Sequence, residues 1–468
     1  MKRRSLLQAA ALAACGAARA QPMGYTDADL RHAAVLRDLA LRDTEAWRLV
    51  EALTTEVGAR PAGSAADARA ASWAVAACRG LGLANVRAES LPLRIWQRGP
   101  ASAQLMAPST RPLVMAALGN SVAAPAGGIE AEIAWYPDLA ALKADTSDRE
   151  KSRANGRIVF IDQKMERARD GRGYGAAVPA RAVGAIEAAR RGALALAIRS
   201  IGTDRDRIAH TGAMQYDLSV PRIPAFAVSV PDADLIARLN ARGEPMRLQF
   251  TLESRSGVEA TTQNVIAEVP GTDLADEIVL LGAHLDSWDL GQGAIDDGAG
   301  VAIVTAAAAL LQRAGKRPRR TVRVALFANE ENGFDGARAY GDRYGNVVHQ
   351  LVAESDFGAG RVWQFKSRVQ PAAQALADSM AQQLAPLGVA AGGYDGSPGP
   401  DAGVLMRRHR WPAAQLSQDG TNYFDVHHTE NDTLDKIDPA TLPQNVACWA
   451  LLAWLAAQSP LPFGPPAL

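Results

Sequence analysis

His284, Asp296, Glu330, Glu331, Asp356 and His428 are of the residue types that bind divalent ions and move protons, and each stands at a strand or loop end. His284 closes the run Glu277-Ile278-Val279-Leu280-Leu281-Gly282-Ala283, and Asp286 follows two residues on. An imidazole leaving a strand end can face a crevice while a nearby carboxylate holds the ring in one tautomer. Twelve residues after His284, Asp296 stands in Gly293-Ala294-Ile295-Asp296-Asp297-Gly298-Ala299-Gly300, directly ahead of an apolar helix. Aspartate caps helices well, but glycines flanking two adjacent acids bend the backbone sharply enough to aim a carboxylate into a site. Glu330 and Glu331 follow the run 321–328. Two like charges at the mouth of a buried strand repel unless a cation or proton compensates them, which is the setting for a metal ligand beside a general base. Asp356 follows the run 347–353, and His428 lies in Tyr423-Phe424-Asp425-Val426-His427-His428-Thr429, beyond the run 413–416.

His284, Asp296, Glu331, Asp356 and His428 thus converge from five strand or loop ends. Two histidines and three carboxylates suit a pair of zinc-like ions with one carboxylate bridging, although the same donors also accept cobalt or manganese. Taken singly, the HxD pair is polar sequence leaving a strand, an aspartate is a helix cap, and paired glutamates are a solvated face. Their joint placement at strand ends is not explained that way. The sequence contains no HExxH, Walker A, GxGxxG or GxSxG pattern. Single-zinc HExxH proteases, P-loop ATPases, dinucleotide enzymes and elbow-type serine hydrolases therefore lose support.

The elements that must position these residues follow residue 254, where strands at 263–269, 277–283, 321–328 and 347–353 alternate with helices, the clearest at 298–313. This pattern predicts an α/β fold, a mixed, mostly parallel sheet with helices on both faces and its site beyond the carboxyl ends of the strands. Residues 27–81 read as helical, apart from a loop at 58–64 whose Ser64 caps the helix running to Cys78. Between 98 and 254 short strands at 156–162, 193–198 and 223–230 accompany a helix at 182–191, with one histidine, His210, and no clustered ligands. This predicts an inserted α+β domain at 98–254, splitting a domain formed by 21–97 and 255–468. The apolar runs 298–311 and 446–457 fall short of the roughly 20 residues of a membrane span and read as core helices, so no transmembrane span is expected.

Residues 1–20 read as an export signal: Lys2, Arg3 and Arg4, an apolar stretch from Leu6, then small residues. Ala18-Arg19-Ala20 fits cleavage before Gln21, while Leu12-Ala13-Ala14-Cys15 fits a lipobox that would anchor a lipid on Cys15; Arg3-Arg4 also fits twin-arginine export. The expected location is exported, periplasmic or secreted. Across 468 residues there are 50 basic and 50 acidic side chains, and removal of 1–20 leaves 46 against 50. A balanced chain lacks the basic surplus of a nucleic-acid binder. Cys78 and Cys448 remain, each in an apolar helical context, as a pair or as two buried thiols.

With these motifs in this order, the sequence resembles the M28 family of co-catalytic zinc peptidases, most of all its carboxypeptidase Q branch. The resemblance extends over nearly the whole chain beyond the signal: the 58–64 loop, a protease-associated-like insert, and His284-Leu285-Asp286-Ser287-Trp288, Gly293 to Gly298, Asn329-Glu330-Glu331, Glu354-Ser355-Asp356 and His427-His428-Thr429. It implies a secreted exopeptidase, aminopeptidase or dipeptidase, that acts on small peptides with two zinc ions per chain. It also implies Asp296 as the bridging carboxylate, His284 and Asp356 completing one zinc, and Glu331 and His428 the other. Glu330 would be the general base towards a metal-activated water, and Asp286 the acid orienting His284. His428 is preferred to His427 because the H-T-x-x-D run to Asp432 begins there. The resemblance further implies a homodimer and an unusual peptide bond between Asp296 and Asp297. Tyr423, Asp401 and Trp288 are candidates for reading the peptide's termini, or for loop packing. Two alternatives on the same fold are a single-zinc glutaminyl cyclase-like transferase and a non-catalytic binding protein.

Overall fold

The computed structural model describes residues 24–466; the export signal of residues 1–20 and the lipid site at Cys15 lie outside them. Three helices come first, α1 (Asp27–Ala40), α2 (Glu45–Glu56) and α3 (Ala65–Gly80). Thr26 opens α1 with a reciprocal capping box to Asp29, and Ser64 opens α3 by accepting from the Asp67 amide. There follow β1 (Ala84–Ala107), β2 (Arg111–Leu113), β3 (Met115–Ala117), β4 (Ile129–Tyr136), α4 (Leu139–Ala144), β5 (Ile158–Ile161), α5 (Arg172–Arg190), β6 (Ala195–Arg199), β7 (Ala225–Val228) and α6 (Val230–Ala241). The rest of the chain contributes β8 (Arg247–Val269), β9 (Leu274–His284), α7 (Ala299–Arg313), β10 (Arg320–Phe327), α8 (Asp335–Tyr344), β11 (His349–Glu354), β12 (Val362–Arg368), α9 (Gln374–Leu384), β13 (Ala390–Ala391), α10 (Pro400–His409), β14 (Ala413–Gln418) and α11 (Leu442–Gln458).

The strands run β13-β12-β14-β11-β9-β10-β8 and continue as β4-β5-β6-β7-β3. β9 is parallel to both β10 and β11, and β11 to β14; β8 and β12 pair antiparallel to β10 and β14. The central strands are buried on both faces, which is why they read as unbroken apolar runs. Helices α1, α2, α7, α9 and α11 cover one face and α8 and α10 the other, so the mixed α/β sheet expected from the sequence is what forms. Counted with the turns that precede them, the helical stretches carrying α7 and α11 each reach 20 residues and are apolar enough for a membrane. They are instead the centre of the largest core, and most of α11 is sealed from solvent.

β1 and β8 are the longest strands, 24 and 23 residues. They pair antiparallel from Ala84–Glu268 out to Ala107–Arg247, with Arg98 opposite Ser254. One end of β8 pairs with β10 and the other with β4. A two-stranded ribbon therefore joins the main sheet to a second lobe, in which parallel β4-β5-β6-β7 and antiparallel β3 sit between two smaller cores. Cys78 and Cys448 are free, buried thiols.

Candidate metal centre

The ends of β9, β10, β11 and β14 open into a cavity of about 1100 Å³, roofed by Tyr174, Arg181 and Met214 of the second lobe. His284 is the last residue of β9 and has no exposed surface. Its Nδ1 lies 3.0 Å from the backbone oxygen of Asp286 and 3.7 Å from the Asp286 carboxylate. A ring whose Nδ1–H donates to that carbonyl keeps the Nε2 lone pair free for a cation. Nε2 points at Asp296 Oδ1, 3.0 Å away, with Asp356 Oδ1 at 3.7 Å. The other oxygen of Asp296 faces His428 Nε2 at 3.2 Å, and that nitrogen is 3.1 Å from Glu331 Oε2. One carboxylate thus stands between two sets, His284 with Asp356 and His428 with Glu331.

The loops are held by their own hydrogen bonds. Asp432 accepts the amides of Ile295 and Asp296 at 2.6 and 3.3 Å and so clamps the turn that aims Asp296. Burial, reinforced by the charge of Asp296, pushes the Asp432 carboxyl up to about 7. The peptide bond between Asp296 and Asp297 is cis. Asp297 turns inward, accepting the amides of His284 and Gly300 at 3.1 and 3.0 Å. Asn329, at φ 58°, turns the chain out of β10 to present Glu330 and Glu331; asparagine tolerates that left-handed conformation better than most residues. The Glu330 amide donates to Asp286 Oδ1 at 3.1 Å, while the Glu330 side chain is partly exposed in the cavity.

The acids of the centre crowd one another. Burial, together with Asp356, Glu331 and Asp296, drives the Glu330 carboxyl well above its ordinary value against the pull of His284. Glu331 is driven up in the same sense by burial and Asp296. At Asp296 burial works upwards too, but hydrogen bonds to His284 and His428 and the charge of His427 hold it well below. Asp296 Oδ2 and Glu331 Oε1 are sealed from solvent without a well-formed hydrogen bond. His284, Asp296 and Glu331, and likewise Asp296, His427 and His428, each offer ligand atoms within 4.8 Å of one another. Imidazole nitrogens facing carboxylate oxygens at hydrogen-bond distance, with buried acceptors left over, are the donor set and spacing that divalent zinc takes.

His427 stacks on His428 with centroids 3.5 Å apart and reaches to 3.5 Å from Asp296 Oδ2, while its Nδ1 has no partner. His428 Nδ1 instead meets the carbonyl of Thr211 at 3.3 Å. Of the terminus-reading candidates, Tyr423 lines the cavity. Trp288 packs behind His428 with centroids 5.6 Å apart, and Asp401 is completely buried with both oxygens unpartnered.

Three contributors were not singled out from the sequence. Arg60, in the 58–64 loop, is wholly buried and donates to the carbonyls of Leu285, Gln292 and Gly293 at 2.6, 2.8 and 2.8 Å, bracing the loops of His284 and Asp296. Thr211 lies in a stretch with no ligand pattern, so only the folded chain brings it to His428. Arg181 sits on a helix predicted at 182–191 that in fact begins at Arg172, and lines the cavity. The residue is 7% exposed, and its guanidinium bonds only neutral acceptors: Ala213 O, Thr211 O and the Tyr174 hydroxyl.

Residues 264–453 match peptidase family M28. Carboxypeptidase Q of Bos taurus is 33% identical over 86% of this chain and 84% of that protein. A crystal structure described as a peptidase M28 precursor from Shewanella amazonensis is 46% identical, covers 94% of this chain and 99% of its own, and superposes with a TM-score of 0.91. A zinc aminopeptidase from Bacillus subtilis shares the fold at 19% identity, covering 87% of this chain and 94% of its own, with a TM-score of 0.61.

Proposed function

Because the chain belongs to peptidase family M28 and is a zinc metallo-exopeptidase, we propose that it hydrolyses small peptides at a centre that would hold two zinc ions, with Asp296 serving both. The observation that carries this is the split of one carboxylate, Oδ1 towards His284 and Oδ2 towards His428. His284 and Asp356 would hold one ion and Glu331 and His428 the other. His428 is preferred to His427 because its Nδ1 is oriented by the Thr211 carbonyl and its Nε2 also faces Glu331. Bound zinc supplies Lewis-acid polarisation of the scissile carbonyl and a water of lowered pKa.

The remaining work falls to the protein's own groups. Glu330 reaches into the cavity with its backbone held by Asp286; it takes the proton of the attacking water and returns it to the leaving amine. The second lobe, proposed as an inserted protease-associated-like domain at 98–254, roofs the cleft and limits it to short peptides. Arg181, a buried cation with no carboxylate partner among the described residues, suits the free carboxylate of such a peptide. Export through residues 1–20 belongs to the same proposal.

The test is metal content together with hydrolysis of free and N-blocked dipeptides, for the wild type and Glu330→Ala. Two zinc ions per chain in both proteins and turnover lower by about 10²–10⁴ or more in the variant are expected. One ion or none, with no turnover by the wild type, would refute it in favour of a cyclase-like or binding role.

A further inference from the structure

Away from the catalytic cleft, the second lobe encloses a trough of about 580 Å³. One wall is a face of α6 on which Val230, Asp234 and Arg238 recur every four residues, and opposite stand Lys164, Arg199 and the turn 202–205. Arg199 is 4% exposed and fixed between Asp162 at 2.7 Å and Asp234 at 2.8 Å. Asp204 is taken by His210 Nε2 at 2.7 Å and by the Asp206 amide at 3.0 Å. Both carboxylates of the trough are therefore committed, whereas Lys164, Arg205 and Arg238 have no ion pair among the described residues. Cations gathered in one concavity in excess of its acids repel one another and raise the local concentration of anions.

We infer that this trough binds a small oxyanion, a phosphate or a carboxylate, and that the bound anion stiffens the loop carrying His428. The wall is wired to that loop. The Thr203 amide donates to Phe424 O at 3.0 Å, and its hydroxyl to Asp425 at 2.8 Å. His210, held by Asp204 on one side, meets the backbone oxygen of His427 at 2.7 Å on the other. An anion that fixes the turn 202–205 also fixes residues 424–428, independently of the reaction catalysed.

The experiment is calorimetric titration of the full, metal-loaded protein with inorganic phosphate and, separately, succinate, at constant ionic strength in chloride. Wild type is compared with a Lys164→Ala, Arg238→Ala double variant, both changes being at exposed side chains. One site per chain is expected, weakened at least ~tenfold in the double variant. Amides of 202–204 and 424–428 should exchange more slowly in the bound wild type. Binding of phosphate alone identifies a phosphate source, and binding of succinate a carboxylate source. No saturable heat with either anion overturns the inference, as does binding undiminished in the double variant, which would locate the anion at the metal centre.

Discussion

Arg60→Met should loosen the protein's hold on metal as well as its stability. Methionine keeps much of the side-chain volume, so the change isolates the guanidinium. That group is completely buried and donates to Leu285 O, Gln292 O and Gly293 O at 2.6–2.8 Å and to Gly58 O at 3.2 Å. Its positive charge also faces Asp432, Asp286, Asp297 and Asp296. Each buried acceptor abandoned costs about 1–3 kcal/mol, and three short bonds lost together, with incomplete additivity, give about 3–5 kcal/mol. Two of the orphaned carbonyls belong to the turn ahead of Asp296 and one follows His284. The ligands should lose their register, and zinc affinity should fall about 10–100-fold. Competition against a chromogenic chelator reads the affinity, and urea unfolding of the zinc-loaded protein reads the stability. Arg60→Lys retains the charge but offers one compact ammonium to carbonyls on several sides, and should recover only part of both losses. A methionine variant within about 1 kcal/mol of wild type and with unchanged zinc affinity would refute the bracing role of Arg60.

If Asp296 serves two ions as proposed, Asp296→Asn should empty both positions, because each half of its carboxylate faces a different histidine; elemental analysis showing one ion retained would contradict that proposal. Gly119→Ala places a Cβ 2.2 Å from the tip of the Trp288 ring, which backs His428. Overpacking of that kind costs about 1–3 kcal/mol, so a lowered melting temperature and reduced kcat/KM are expected, and wild-type values of both would show that the lobe docks more loosely. His349 is remote from the centre: burial, with Arg323 nearby, holds its imidazole down to about 3 while Tyr340 and the Val347 carbonyl keep it bonded. Unfolded, the same ring takes up a proton near pH 6.5, so the stability its neutrality provides is present above that pH and is lost as pH falls towards 3, by up to ~1.4 kcal/mol per unit. His349→Phe should flatten that part of the stability–pH curve, and an unchanged slope would show that the histidine is protonated in the fold.

The sheet was legible because its strands are buried on both faces: the run 277–283 falls inside β9, the run 321–328 overruns β10 by one residue, and the helix expected at 298–313 is α7, one residue shorter. Joint placement at strand ends likewise brought His284, Asp296, Glu330, Glu331, Asp356 and His428 to one cavity. The ribbon was not legible. β1 alternates Leu91, Leu93 and Ile95 with exposed residues, but Pro92, Gly99 and Pro100 interrupt the signal that a strand in the open would give. Nor could Arg60 or Thr211 be found by pattern, since Arg60 donates to backbone carbonyls and Thr211 offers its own carbonyl as acceptor, across 225 and 217 residues of chain respectively. A run of H-T-x-x-D did point to Asp432, although not to the amides it clamps.

The hydrogen bond between Thr211 and His428 makes the metal centre depend on two distant parts of the chain. The strands β4 to β7 lie within residues 129–228, whereas the residues gathered about Asp296 run from His284 to His428, so the second imidazole of the set is the last of them in the chain. Without the 423–428 segment the remaining set is a crowd of acids with one histidine, a poor match for zinc. A chain truncated before residue 428 would be expected to fold its second lobe and remain without its full metal complement.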